Sequence, residues 1–183
     1  MTTQRWLPYR WELIFLFWLA YFFNQADRMI YNVVLPSLSK DLGLSDVQAG
    51  LVATIFMLTY AVLVPVAGYA GDVFRRKWIV FGSLLVWSMA TLLSGLSTGL
   101  VGLIVFRGLS TGGGEAFYYP AANSLIGQYH ERTRALAMSI HQTSAYVGIV
   151  ASGLVAGWMA QRYGWRSPFF VFGAIGMVLA AVM

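Results

Sequence analysis

Apolar residues in this chain fall in long blocks rather than short alternations. The blocks cover residues 13–35, 47–70, 78–96, 101–126, 135–159 and 168–183, with short polar stretches between them. The first five have the length of a bilayer crossing, about 20 residues, and the sixth stops short. A backbone in hydrocarbon must satisfy its own hydrogen bonds, so blocks of this size predict α-helices. Barrel strands would be about half as long and would alternate. Pro36 is expected to close the first helix, and Ser45 with Asp46 to cap the start of the second. The expectation is an all-α membrane protein with six transmembrane helices in one domain, residues 1–183. The sixth block ends at Met183 with no flanking charge, aromatic residue or loop. On that ground the chain is expected to be cut, or to be one half of something larger.

Composition sharpens this picture. The chain is 58% hydrophobic and 10% charged, against about 25% charged residues in a typical soluble domain. It has no cysteine, which removes disulfides and thiolate metal sites. No metal or cofactor motif is present, so neither is expected. The net charge of +5 sits on scattered loop residues, which argues against a nucleic-acid surface. Topology accounts for it better. Arg5, Arg10, Arg75, Arg76, Lys77, Arg132 and Arg134, seven in all, fall on one side, and Lys40, Arg162 and Arg166, three, on the other. The positive-inside bias then places the N-terminus and the 71–77 and 128–134 loops in the cytoplasm. Trp6, Trp11, Trp78, Trp158 and Trp165 lie near block ends, where interfacial anchors belong. The first block is too long and too polar in its second half for a signal peptide. A multi-pass protein of a bacterial inner membrane is expected.

Inside these blocks sit charges. Asn24, Asp27, Arg28 and Tyr31 follow i, i+3, i+4, i+7 spacing and form a polar stripe at membrane depth. Each charge there costs about 2.5–3.5 kcal/mol on insertion scales, so the stripe must face other helices or water. It reads either as an ion pair that locks helix packing or as a substrate or proton site, and the second reading is preferred. In the fourth block Arg107, Thr111 and Glu115 are spaced by four, and Gly112, Gly113 and Gly114 interrupt them. Consecutive glycines weaken a helix by about 1 kcal/mol each, which suits a place where a neighbour approaches closely or the helix bends. The fifth block carries a polar cluster, Ser139, His141, Gln142, Thr143 and Ser144, followed by small residues at Gly148, Gly153 and Gly157. His141 could gate or relay protons, or simply pack.

The loop Gly68 to Lys77 resembles the signature G-x-x-x-D-[RK]-x-G-[RK]-[RK] between helices two and three of the major facilitator superfamily. Gly68, Asp72, Arg76 and Lys77 match, while Val73 and Arg75 depart from it. Gly114-Glu115-Ala116-Phe117-Tyr118-Tyr119-Pro120-Ala121, together with the Asp27-Arg28 pair, is similar to the Spinster-like and anion:cation symporter branches. Arg132-Thr133-Arg134-Ala135 and Tyr163-Gly164-Trp165-Arg166 match the usual fourth and fifth loops, and the likeness runs from about Asn24 to Phe172. The resemblance implies six helices arranged as two inverted three-helix repeats, the N-terminal half of a secondary transporter. It further implies proton-coupled movement of a small organic anion, with Asp27 and Glu115 as coupling acids. Arg28 would bind the anion, with Tyr60, Arg107, Asn24, Tyr31 and His141 around the substrate. Gly68, Asp72, Arg76 and Lys77 would belong to a cytoplasmic gate. Its partners would be the small molecule, the proton, the bilayer, and a C-terminal six-helix half or a second copy.

Three other readings compete with this one. A Spinster-like lysolipid or sphingolipid transporter shares the intramembrane acids. A six-helix half that transports nothing alone, as scaffold or truncated product, fits the length. An enzyme is not expected. Gly108 to Gly112 fits G-x-S-x-G and is similar to a rhomboid-type site, but the pattern recurs at Gly95 to Gly99 in a turn, and the sixth block lacks a histidine.

Overall fold

The computed structural model describes residues 9–183, so Arg5 and Trp6 lie outside the described residues. Among the described residues the fold is a bundle of six rods. These are α1 (Tyr9–Leu42), α2 (Asp46–Val73), α3 (Arg76–Ser94), a composite α4 over 100–129, α5 (Arg134–Tyr163) and α6 (Arg166–Val182). By length and composition α2, α3 and α5 are each able to cross a membrane, and α6 is a shorter apolar helix. The span boundaries expected from the sequence sit inside the helices with two exceptions: the third block runs past Ser94 and the sixth past Val182.

Pro36 does not close the first helix, contrary to expectation. α1 continues through it to Leu42. The ring faces outward, while Val34 and Leu38, four residues apart, are both fully buried and carry the helix onward. Past the proline, Asp41 is tied to the α5–α6 turn by Trp165 Nε1 at 3.0 Å and Arg166 Nη1 at 2.7 Å. The Ser45 cap of α2 is as expected, and forms a full capping box with Gln48.

α4 is not a regular helix. It comprises Leu100–Leu103, a π-helical stretch Ile104–Thr111, Gly112–Ala116 and, after a turn at Phe117, Tyr118–Tyr129. The hydroxyls of Ser110 and Thr111 donate to carbonyls five residues back, Val105 at 2.8 Å and Phe106 at 2.9 Å, as the wider π turn allows. The glycines then let this rod wedge between its neighbours. A Cβ at Gly112 would lie 2.9 Å from the Phe56 carbonyl oxygen of α2, and one at Gly114 would lie 2.8 Å from the Trp87 nitrogen of α3.

The packing pairs the two halves. α1 lies chiefly against α5, α4 against α2 and α3, and α3 against α6. Exchanging helices 1–3 for 4–6 turns the α1–α5 contact into the α4–α2 contact and leaves α3–α6 unchanged, the signature of an internal two-fold repeat. The core runs through the contact between halves, where Trp87 and Tyr118 are fully buried with their rings 5.4 Å apart, edge to face.

Candidate functional site

Successive residues on a helix point about 100° apart, and α1 uses this to send its adjacent charges to different neighbours. Asp27, 1% exposed, turns toward α3 and accepts a hydrogen bond from Thr91 Oγ1 at 3.1 Å. Arg28 turns toward α4, where its Nε donates to Glu115 Oε2 at 2.7 Å. The carboxylate of Glu115 is fully enclosed, and the Arg28 side chain keeps 27% of its surface. The charges of the polar stripe therefore pair between helices, not with each other.

Arg107 differs. It is 4% exposed, Nη1 has no hydrogen-bond partner, and no carboxylate lies within ion-pair distance among the described residues. Its guanidinium carbon instead lies 5.2 Å from the Phe56 ring and 5.7 Å from the Tyr31 ring. Arg28 shares the same ring, 5.3 Å from Phe56, and lies 4.6 Å from Tyr60. Two cations thus rest on one aromatic platform, held by the attraction of ring faces for positive charge. Asp27 and Glu115 lie within electrostatic reach of each other and of Arg107, so all four charges form one network. One oxygen of each acid, Asp27 Oδ1 and Glu115 Oε1, is buried without a partner. Beside the two arginines opens a cavity of about 70 Å³ between α1, α2 and α4, lined also by Asn32, Val52 and Phe56.

The other residues expected at the site divide. Asn24, buried on α1, lies beside Glu115 and accepts from Gln25 at 3.1 Å. Tyr31 donates its hydroxyl to the Ala49 carbonyl at 2.9 Å, fixing the start of α2. His141 is buried among aromatic rings. The Tyr118 hydroxyl donates to the Phe17 carbonyl at 2.8 Å, which leaves the His141 Nε2–H to donate to the Tyr118 oxygen at 3.2 Å. Tyr21 stacks on the imidazole at 4.7 Å, and no hydrogen bond or ion pair joins it to the four charges among the described residues. In the α2–α3 loop, Arg76 donates to the Gly71 carbonyl at 2.9 Å and approaches Asp72 at 3.5 Å, a contact local to the loop. Lys77 is exposed there, and Gly68 has open space about it. Two contributors were missed: Phe56, four residues before Tyr60 and on its face of α2, and Thr91, one of several hydroxyl residues on α3 and the one that meets Asp27.

A six-helix membrane bundle with an inverted repeat and a buried charge network between its halves is the architecture of a secondary-transporter half. The match to the Major Facilitator Superfamily over residues 17–183 makes this explicit: the chain belongs to that family. It is 30% identical over 180 residues to the probable galactarate/D-glucarate transporter GudP of Bacillus subtilis, covering 94% of this chain and 39% of that protein. It is 33% identical over 175 residues to the cis,cis-muconate transport protein of Acinetobacter baylyi, covering 94% of this chain and 42% of that one. Among solved structures, a bacterial homologue of the human lysosomal transporter Spinster, inward-facing and unoccupied, superposes with a TM-score of 0.86. It is 28% identical, with 96% of this chain and 42% of that one covered. The chain spans about two fifths of the length of the curated relatives it matches. It is an integral, multi-pass membrane protein.

Proposed function

We propose that this chain is the N-terminal half of a proton-coupled secondary transporter for small organic anions, acting by movement rather than by bond chemistry. The observation that carries this reading is the state of the two arginines: Arg28 bridged to Glu115, and Arg107 facing the same cavity with no carboxylate in ion-pair distance among the described residues. A substrate carboxylate fits Arg107 directly, and it can replace Glu115 on Arg28. Asp27 and Glu115 against Arg28 and Arg107 sum to zero charge. Each substrate carboxylate entering alone would leave one uncompensated negative charge in the bilayer, and a proton taken by an acid restores neutrality, so that a dicarboxylate would draw a proton onto each of Asp27 and Glu115. Tyr60 and Phe56 hold the guanidiniums, while Asn24 and Tyr31 shape the wall. His141 contributes through packing against Tyr21 and Tyr118. Gly68, Asp72 and Arg76 fit a cytoplasmic gate closed against a second six-helix half, supplied by further sequence or by another copy. The charge bias across the loops supports a cytoplasmic N-terminus, and the bacterial sugar-acid and muconate relatives support a bacterial inner membrane.

The likeness to the Spinster homologue favours one rival, a lysolipid or sphingolipid substrate. Thermal shift separates the two. The protein, alone and with the second half its relatives carry, is expected to gain thermal stability with glucarate or muconate, and to lose that gain in Arg107→Ala. Stabilisation by lysophospholipid alone, unchanged in Arg107→Ala, supports the rival instead.

A further inference from the structure

A concavity of about 550 Å³ lies away from the charge network, between α2, α3 and α4. It opens at the exposed rings of Phe74 and Trp78, beside the α2–α3 loop, and runs inward past Gly82 and Val86 to Leu63 and Gly113. Leu63 and Phe74 are eleven residues apart, about 16 Å of helix at 1.5 Å per residue. A bilayer's hydrocarbon is about 30 Å thick, so the groove is one leaflet deep. Its walls are apolar. The hydroxyls of Ser83 and Ser110 are already spent on their own helices, donating to Val80 at 3.0 Å and Val105 at 2.8 Å. At Gly82 an added Cβ would meet nothing within 4 Å, so the floor there is open.

The mouth has a different character. A second hollow, of about 340 Å³, shares Phe74 with the groove and is lined by Asp72, Arg75, Arg76 and Lys77. Arg76 is engaged with Gly71 and Asp72. The side chains of Arg75 and Lys77 are exposed and make no hydrogen bond or ion pair among the described residues. The one carboxylate of the loop thus already has a partner, and two cations remain at the membrane surface. Basic residues in that position attract anionic headgroups.

We infer that the groove between α2, α3 and α4 and the basic loop at its mouth form one site for an anionic phospholipid. One acyl chain lies in the groove, and the phosphate rests between Arg75 and Lys77. Depth, apolar walls and charge complementarity agree on this occupant. The lipid belongs to the leaflet on the loop's side, and nothing in the argument depends on what the protein transports. Since Gly113 lines the far end two residues from Glu115, the chain would brace the helix that carries the acid.

The test is native mass spectrometry of the purified protein in detergent, titrated with phosphatidylglycerol, phosphatidylcholine or glycerol 3-phosphate. Phosphatidylglycerol should be retained at least fivefold better than phosphatidylcholine. The double variant Arg75→Gln/Lys77→Gln should bring the two lipids level, and Gly82→Phe, checked for helix content, should weaken both. Equal retention of the two lipids by the native protein overturns the inference, as does a phosphatidylglycerol preference that survives the double variant. Glycerol 3-phosphate binding as tightly as the lipid also overturns it, because the groove would then contribute nothing. Should Gly82→Phe fail to fold, the double variant on exposed side chains still decides.

Discussion

Thr91 and Arg107 show how much of this site depends on partners rather than on the charges themselves. Thr91 gives Asp27 its only hydrogen bond among the described residues, and the second carboxylate oxygen is buried with none. Thr91→Val is therefore expected to destabilise the protein by about 1–3 kcal/mol, the range for a buried polar group left unsatisfied. Thr91→Ser should recover most of it in a thermal melt, and a valine variant as stable as the native protein would remove Thr91 from the network. Arg107→Lys keeps the charge and loses the planar contact with Phe56 and Tyr31. Anion affinity, measured by thermal shift, should fall about tenfold, since the ammonium also loses the fork that pairs one carboxylate with two N–H groups. Asn24, Asp27, Arg28, Arg107 and Glu115 were legible in the sequence because intramembrane polar residues stand out against apolar blocks. Which charge meets which was not, because spacing along one helix places a residue on a face without saying which helix stands opposite. That is why Asp27 and Arg28, read as one stripe, divide between Thr91 and Glu115, and why Arg107 is left with no carboxylate in ion-pair distance among the described residues.

At the scale of elements, the glycine run of α4 makes two opposite forecasts. A methyl at Gly114 would meet the Trp87 backbone at 2.8 Å, whereas one at Gly113 meets the flexible tip of Leu63 at 3.4 Å. Gly114→Ala should therefore cost about 1–3 kcal/mol by overpacking, while Gly113→Ala should be tolerated and gain up to about 1 kcal/mol of helix propensity. Melting temperatures of the two purified variants check this, and Gly114→Ala melting no lower than Gly113→Ala would contradict it. The α1 terminus carries a pH forecast. The Trp165 indole N–H and the Arg166 guanidinium hold the Asp41 carboxyl below its usual range. A depressed folded pKa stabilises above the unfolded value of about 4 and is lost as pH falls through the folded one. Asp41→Asn should lower the melting temperature at pH 7, and the gap should close in acid. A gap independent of pH would show that the charge plays no part. This clamp also explains why the first helix outlasts Pro36. Local rules place a helix end near a proline, but Leu38 and Asp41 are anchored by residues far away in sequence. The π-helical stretch of α4 was equally hidden, and Gly108 within it and Gly112 at its end pack too closely on α2 for any side chain.

For the whole molecule, six apolar blocks and their loops made the architecture readable, because membrane helices are specified mainly by length and hydropathy. The repeat places α1 and α4 as counterparts, and each brings one acid and one arginine to the contact between halves. In the proposed function these four groups sum to zero charge, so that a proton and an anion would enter together because neither would be accommodated alone. Proton-driven uptake measures this most directly, with the complete transporter reconstituted in proteoliposomes and an inward proton gradient imposed on a sugar acid such as glucarate. The native protein should concentrate the anion, and Asp27→Asn and Glu115→Gln should each abolish gradient-driven accumulation while leaving passive exchange of the anion measurable. Accumulation that persists in both variants would contradict the account.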